Sequence, residues 1–127
     1  PIFRGFNDIF LVPHSRHTEV REEDILANPS LRLLSRSDEA GVHIVEAMNG
    51  RQLFVLGHCE YDRDTLKAEY IRDRGKGMNP KIPEHYFPDD DPTQEPLIRW
   101  RSHAHLFYTN WLNYYVYQST PYVIESL

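Results

Sequence analysis

An Asn-Gly pair at positions 49 and 50 constrains this chain more than any other feature. It stands between two apolar runs, Val42 to Ala47 and Arg51 to Gly57. Asn and Gly tolerate the left-handed backbone of a tight hairpin, so the runs are expected to pair as antiparallel strands. Within the second run, Leu53-Phe54-Val55-Leu56 is four large apolar residues, the pattern of a strand buried on both faces. It ends in Gly57-His58-Cys59-Glu60-Tyr61-Asp62. Good helix formers follow from Thr65, with Leu66 and Tyr70 four apart. That helix is expected to be capped by Asp62 or Asp64 and to run to about Arg74, where Gly75 and Gly77 stop it. In an open α/β sheet, ligands and catalytic groups gather at such strand-to-helix junctions.

The rest of the chain reads as one domain of 127 residues. Ile9 to Val12 is expected as a short buried strand ended by Pro13, with His14 to Thr18 a polar loop at its end. Glu22 to Ala27 has the acidic first turn of a short helix, and Leu31 to Ser35 reads as a strand before a turn at Ser37 to Gly41. Asn79 to Pro96 carries five prolines, which forbid regular structure, and its acid run Asp89-Asp90-Asp91 reads as a solvated turn lacking calcium-loop spacing. Ser102 to Gln118 is the last long helix. Trp100, Ala104, Phe107, Trp111 and Tyr115 form its apolar stripe, and Tyr108, Tyr114 and Tyr117 widen it enough to suggest a helix nearly surrounded by protein.

Composition narrows the function classes. A net charge of −5 with scattered Lys and Arg argues against a nucleic-acid footprint. No apolar stretch approaches the ~20 residues of a membrane span, and no signal-peptide pattern opens the chain. A single cysteine excludes an internal disulfide and fits a reducing, cytoplasmic setting. The chain opens at Pro1 rather than Met, which reads as readily as a piece of a longer protein as a whole one.

The strongest chemical constellation is His58 with Glu60. Two apart in extended backbone, they point to one side while Cys59 points away. A carboxylate on one imidazole nitrogen sets the tautomer and stabilises the imidazolium, leaving the other nitrogen as a base. A structural His–Glu pair is the alternative. Gly57 allows close backbone approach. Cys59 reads as a small buried hydrophobe rather than a nucleophile. His103 and His105 lie on different helix faces, and His14 and His17 lack a third ligand, so no metal is expected. Ser15 beside His14 is no recognisable Ser–His pair. Arg72 could grip a carboxylate bidentately, or be an exposed helix-end cation.

Four blocks carry a family resemblance. They are Arg4-Gly5-Phe6, Pro13-His14-Ser15-Arg16, Gly57-His58-Cys59-Glu60-Tyr61-Asp62, and Trp100 to His103 running into Asn110-Trp111-Leu112-Asn113-Tyr114-Tyr115-Val116-Tyr117-Gln118. Together, and in order, they resemble the C-terminal part of homoserine O-acyltransferases, the acetyl- and succinyltransferases that open methionine synthesis. The resemblance implies an α/β fold like the class I glutamine amidotransferases, a flavodoxin-like sandwich with a mixed sheet that includes the antiparallel hairpin. It implies that residues 1–127 are the C-terminal part of one acyltransferase domain whose nucleophilic Cys, oxyanion-hole residues and a substrate-contacting Lys lie upstream.

By the same resemblance His58 is the general base, Glu60 its orienting carboxylate, Arg72 the ligand of homoserine's carboxylate, and Ser15 part of the substrate pocket. The implied partners are L-homoserine, acetyl-CoA or succinyl-CoA as co-substrate, and the N-terminal part. No further cofactor, nucleic acid or membrane is implied; a homodimer is allowed, the sequence leaving the oligomeric state open. Cys59 stands where the family commonly has Pro, and Ala104-His105 where it has Gly-Asn. His17-Thr18-Glu19-Val20 leans toward the acetyl branch. Two rivals remain: a non-catalytic binding module, favoured by the missing nucleophile, and a glutamine amidotransferase fragment, which shares His-x-Glu but leaves the Trp-Leu-Asn-Tyr-Tyr block unexplained.

Overall fold

A computed structural model describes residues 1–121. The elements run α1 (Glu22–Leu26), β1 (Leu31–Ser37), β2 (Gly41–Ala47), β3 (Gln52–Val55), α2 (Thr65–Gly75) and α3 (Arg101–Trp111). The three strands form one sheet in the order β1-β2-β3, and both pairings are antiparallel. The chain is thus α/β in content. Among the described residues no parallel pair accompanies the hairpin, so the mixed sheet expected from sequence is not found here.

The hairpin forms as the Asn-Gly signal requires. Met48–Gly50 is a single tight turn in which Asn49 and Gly50 take φ of 54° and 87°. β2 is the central strand and the most buried of the three, with Val42, Ile44, Val45 and Ala47 all buried. Ladder irregularities between Leu33 and Ser35 and between Ser35 and Arg36 change which face of β2 each residue presents. Val42 and Val45 pack with Ile25 of α1, whereas Ile44 packs with Ile2 and Phe107 of α3. The buried Asn110 ties the N-terminal segment to α3, its amide donating to the carbonyls of Ile2 (2.9 Å) and Arg4 (2.8 Å).

Three expectations are corrected. Ile9 to Val12 is not a strand: Ile9 is 85% exposed, and the segment has no ladder partner among the described residues. A strand is defined by its neighbours, and apolar content supplies none. β3 is likewise not buried on both faces, since Phe54 and Val55 are exposed. Among the described residues it is an edge strand, paired only with β2. Finally, the last helix is not surrounded. Its α-helical part ends at Trp111 and widens into a π-helical turn over Leu112–Val116. Ala104, Phe107 and Asn110 are covered, whereas Trp111, Leu112 and Tyr117 are exposed, so one side of the helix is open.

A third apolar cluster sits under the proline-rich segment. Tyr86 and Phe87 pack on Trp100, with Tyr61 and Leu66 against them. The Trp100 indole donates to the carbonyl of Tyr61 (2.9 Å), and the Tyr86 hydroxyl donates to that of Arg63. The long segment is therefore a strap that fixes the start of α2. Asp64 occupies the N-cap position of α2 without a side-chain cap bond, because its carboxylate pairs with Arg63 (3.2 Å). Thr65 Oγ1 instead accepts the Asp62 N–H (3.2 Å).

Candidate active site

The site is a turn between β3 and α2. His58 and Glu60 do meet, but not by sharing one face of extended backbone. Residues 58–61 form a tight turn, with the Tyr61 N–H donating to the His58 carbonyl (3.2 Å). The turn brings His58 Nδ1 to 2.9 Å from Glu60 Oε1. A carboxylate can only accept, so Nδ1 carries a proton and the neutral ring offers its lone pair at Nε2. Among the described residues Nε2 has no hydrogen-bond partner. Tyr61 stacks on the imidazole, with ring centroids 4.5 Å apart and planes 12° from parallel.

Behind that stack lies a network the sequence reading missed. Glu69 of α2 accepts the Tyr61 hydroxyl at 2.7 Å and the Ser15 hydroxyl at 2.6 Å. One carboxylate thus fixes both the ring lying on His58 and the loop residue Ser15. Burial first, then Glu69, pushes the Tyr61 hydroxyl up to about 12, so it remains a donor across the neutral range. Arg72 lies one helical turn beyond Glu69 on the same face of α2. Its Nε donates to Asp73 (2.9 Å), and Asp73 holds the half-exposed guanidinium in its charged form. The spacing of Glu69 and Arg72 is the signal the sequence offers, and it is a weak one, because a helical Glu is usually solvated.

Gly57 is where the elements close on one another. A Cβ there would lie 2.7 Å from Val12 Cγ1, 2.9 Å from His14 Nε2 and 3.0 Å from His43 Cδ2. The His58 N–H donates to the carbonyl of Pro13 (2.7 Å), fastening the 13–16 loop to the turn. Cys59 points elsewhere, its thiol 3.9 Å from the Tyr108 hydroxyl. Burial raises the thiol above its usual range and keeps it protonated, as expected of a packing residue. His103 is half-buried and His105, two residues on and so on the other side of α3, is exposed; the two do not converge. Ala104 is buried against the core at the position where a Gly was expected.

Ser15, Glu69 and Asp73 line a cleft of about 820 Å³ between the 8–16 segment, the β1–β2 turn and the strap. Glu39, Glu84 and His85 stand at its exposed rim with potential ligand atoms within 4.8 Å of one another. His85 Nε2 lies 2.8 Å from a Glu39 carboxylate oxygen, a hydrogen bond that by itself draws two members of the cluster together. No helix among the described residues is long and apolar enough to cross a membrane.

Comparison with known proteins places this geometry in a family. Residues 1–122 match the family model described as "HTS: Homoserine O-succinyltransferase". Among curated proteins, the chain is 62% identical over 127 residues to a homoserine O-acetyltransferase of Methanomethylophilus alvi, covering all of this chain and 41% of that protein. It is 60% identical over 119 residues to one of Clostridium acetobutylicum, covering 94% of this chain and 40% of that protein. It is 60% identical over 127 residues to one of Bacteroides fragilis, covering all of this chain and 42% of that protein. The chain thus spans about two-fifths of the length of the curated relatives it matches. With its His–Glu turn and its matched length, the chain belongs to the homoserine O-succinyltransferase family.

Proposed function

We propose that this chain supplies the acid–base half of an acyltransferase that moves an acyl group from acyl-CoA to the hydroxyl of L-homoserine. The observation that carries the reading is the 2.9 Å contact between His58 Nδ1 and Glu60 Oε1, with Nε2 left unpartnered among the described residues. In this reading a cysteine of the N-terminal part attacks the acyl-CoA carbonyl, its proton passing to His58 Nε2. The imidazolium gives that proton to the CoA thiolate as it leaves, and the enzyme thioester forms. The neutral His58 then takes the proton of the homoserine hydroxyl as that oxygen attacks, and returns it to the cysteine thiolate expelled when the C–S bond breaks. Glu60 stabilises the imidazolium at each stage. The same reading has Ser15 lining the homoserine pocket and Arg72, whose hydrogen bond to Asp73 is made through Nε, gripping the carboxylate with its terminal nitrogens.

The acetyl donor is favoured because relatives near 60% identity are named acetyltransferases. The frame we infer for the whole enzyme is the class I glutamine amidotransferase-like sandwich, acting in methionine biosynthesis in the cytoplasm. In that frame the free edge of β3 is available to further strands of the N-terminal part. The reading is tested in the full-length enzyme with acetyl-CoA, succinyl-CoA and homoserine. His58→Ala is expected to lower turnover by about 10²–10⁴-fold. Near-normal O-acylhomoserine formation by that variant would sink it.

A further inference from the structure

Three imidazoles converge near Gly57, and the proposed reaction uses one of them. His58 is bound by Glu60, and His43 Nδ1 lies 3.2 Å from the Ser35 hydroxyl. His14 is held by a cation. Arg16 Nη1 stands 3.0 Å from His14 Nδ1. A guanidinium only donates, so this nitrogen must keep its lone pair, and the one ring proton sits on Nε2. The other terminal nitrogen of Arg16 donates to the Ala40 carbonyl, which fastens the guanidinium to the β1–β2 turn. The loop backbone is fastened to the site in turn, through Pro13 and the His58 N–H. The His14 ring is therefore pinned beside Gly57, one residue from the base, with its Nε2 2.9 Å from where a Cβ would sit.

We propose that His14 is a positioning residue for His58, locked by Arg16 as an uncharged imidazole so that no second imidazolium forms beside the one His58 becomes on taking a proton, the Arg16 charge being shared with the Ala40 carbonyl of the β1–β2 turn. This rests on the acyltransferase reading above. When His58 Nε2 accepts the thiol or hydroxyl proton, the ring becomes an imidazolium. A protonated His14 beside it would disfavour that form by like-charge repulsion. Burial, Arg16 and His58, in that order, all hold His14 below its ordinary range. The other groups around it are consistent with a neutral ring. His43 of β2 is pushed down to about 4 by burial and then by His14. Glu60 is committed to His58, and Glu69 of α2 to Ser15 and Tyr61. The carboxylates at hand are thus engaged elsewhere, and Arg16 is the charged side chain in direct contact with the His14 ring, adding to the effect of burial.

The test is the pH dependence of kcat/KM in the full-length enzyme. The wild type is expected to lose activity on the acid side with the slope of one proton. Arg16→Met removes the charge that opposes a proton on His14 and raises the pH at which the half-buried ring takes one, so the acid limb should steepen toward two protons, a further tenfold loss per pH unit. Arg16→Gln keeps a donor but no charge; it should steepen likewise, and it serves if the Met variant fails to fold. Arg16→Lys, which keeps the cation, should retain the one-proton limb. Adding His14→Asn to either neutral variant should restore it. A one-proton limb in both neutral Arg16 variants, or a two-proton limb that survives His14→Asn, overturns the proposal. Wild-type turnover and its loss in His58→Ala report separately on the acyltransferase reading.

Discussion

β2 and the turn after β3 each present a histidine near Gly57, and the two are opposites. His43 is 6% exposed, and burial followed by His14 pushes it down to about 4. Its Nε2 is buried without a partner among the described residues. His58 keeps 34% of its side chain exposed and has a carboxylate at 2.9 Å. One ring is walled in and neutral; the other is given the partner that an imidazolium needs. The difference comes from position in the sheet. β2 is paired on both sides and covered on both faces, whereas β3 is an edge whose end runs into an open turn. A single glycine separates the two environments, so the contrast can be attacked there first.

Gly57→Ala should have the largest effect, because its Cβ enters Val12, His14 and His43 together. Overpacking of this kind costs about 1–3 kcal/mol, and a shift of ~1 Å in His58 is enough for about 100-fold in rate. Urea denaturation and turnover of the full-length enzyme measure both; unchanged values would mean the three walls give way freely. His43→Gln sharpens the contrast through pH. With a folded-state value depressed to about 4 against an ordinary 6.5, the unfolded chain binds more protons between those limits. The stabilisation is full above about 6.5 and lost as pH falls toward about 4. His14 is depressed too and adds in the same direction. Removing His43 should flatten the fall in urea midpoint over that window by about one proton's worth of slope, and an unaltered slope would assign it to other groups.

Smaller effects belong to the exposed side. Glu60→Gln preserves shape but takes the charge from His58's partner, and turnover should fall by roughly 10-fold or more with the unfolding midpoint nearly unmoved. Equal activity would leave Glu60 a bystander. Cys59→Ala should change least, within about twofold in turnover, since its thiol faces Tyr108 rather than the base. Mass spectrometry after incubation with acetyl-CoA should find Cys59 unmodified.

Much of this site was legible from residue order. His58, Glu60 and Gly57 declared themselves by following an apolar strand and preceding a helix, and the hairpin was announced by Asn49-Gly50. Even there the mechanism of pairing was misread, because a four-residue turn and an extended strand end both bring residues i and i+2 close. Glu69 and Tyr61 were not legible: a helical Glu and a loop Tyr are ordinary until Ser15, 54 positions away from Glu69, is seen to share its carboxylate. Ile9 to Val12 and β3 were overread for the opposite reason. Their apolarity was visible, but burial belongs to neighbours, and among the described residues β3 has one strand neighbour.

By itself, the sequence determined what is local: the turn that makes the hairpin, the helix that follows His58, the breaks at glycine and proline, and the His-x-Glu pair. These depend on φ preferences and on spacings of a few residues, which residue identity controls directly. Only the tertiary structure decided which histidine carries a partner and which is sealed away, what holds Tyr61 against the base, and which tautomer His14 adopts. Those outcomes turn on desolvation and on donors and acceptors brought together from distant positions, and neither is a property of any short stretch of chain.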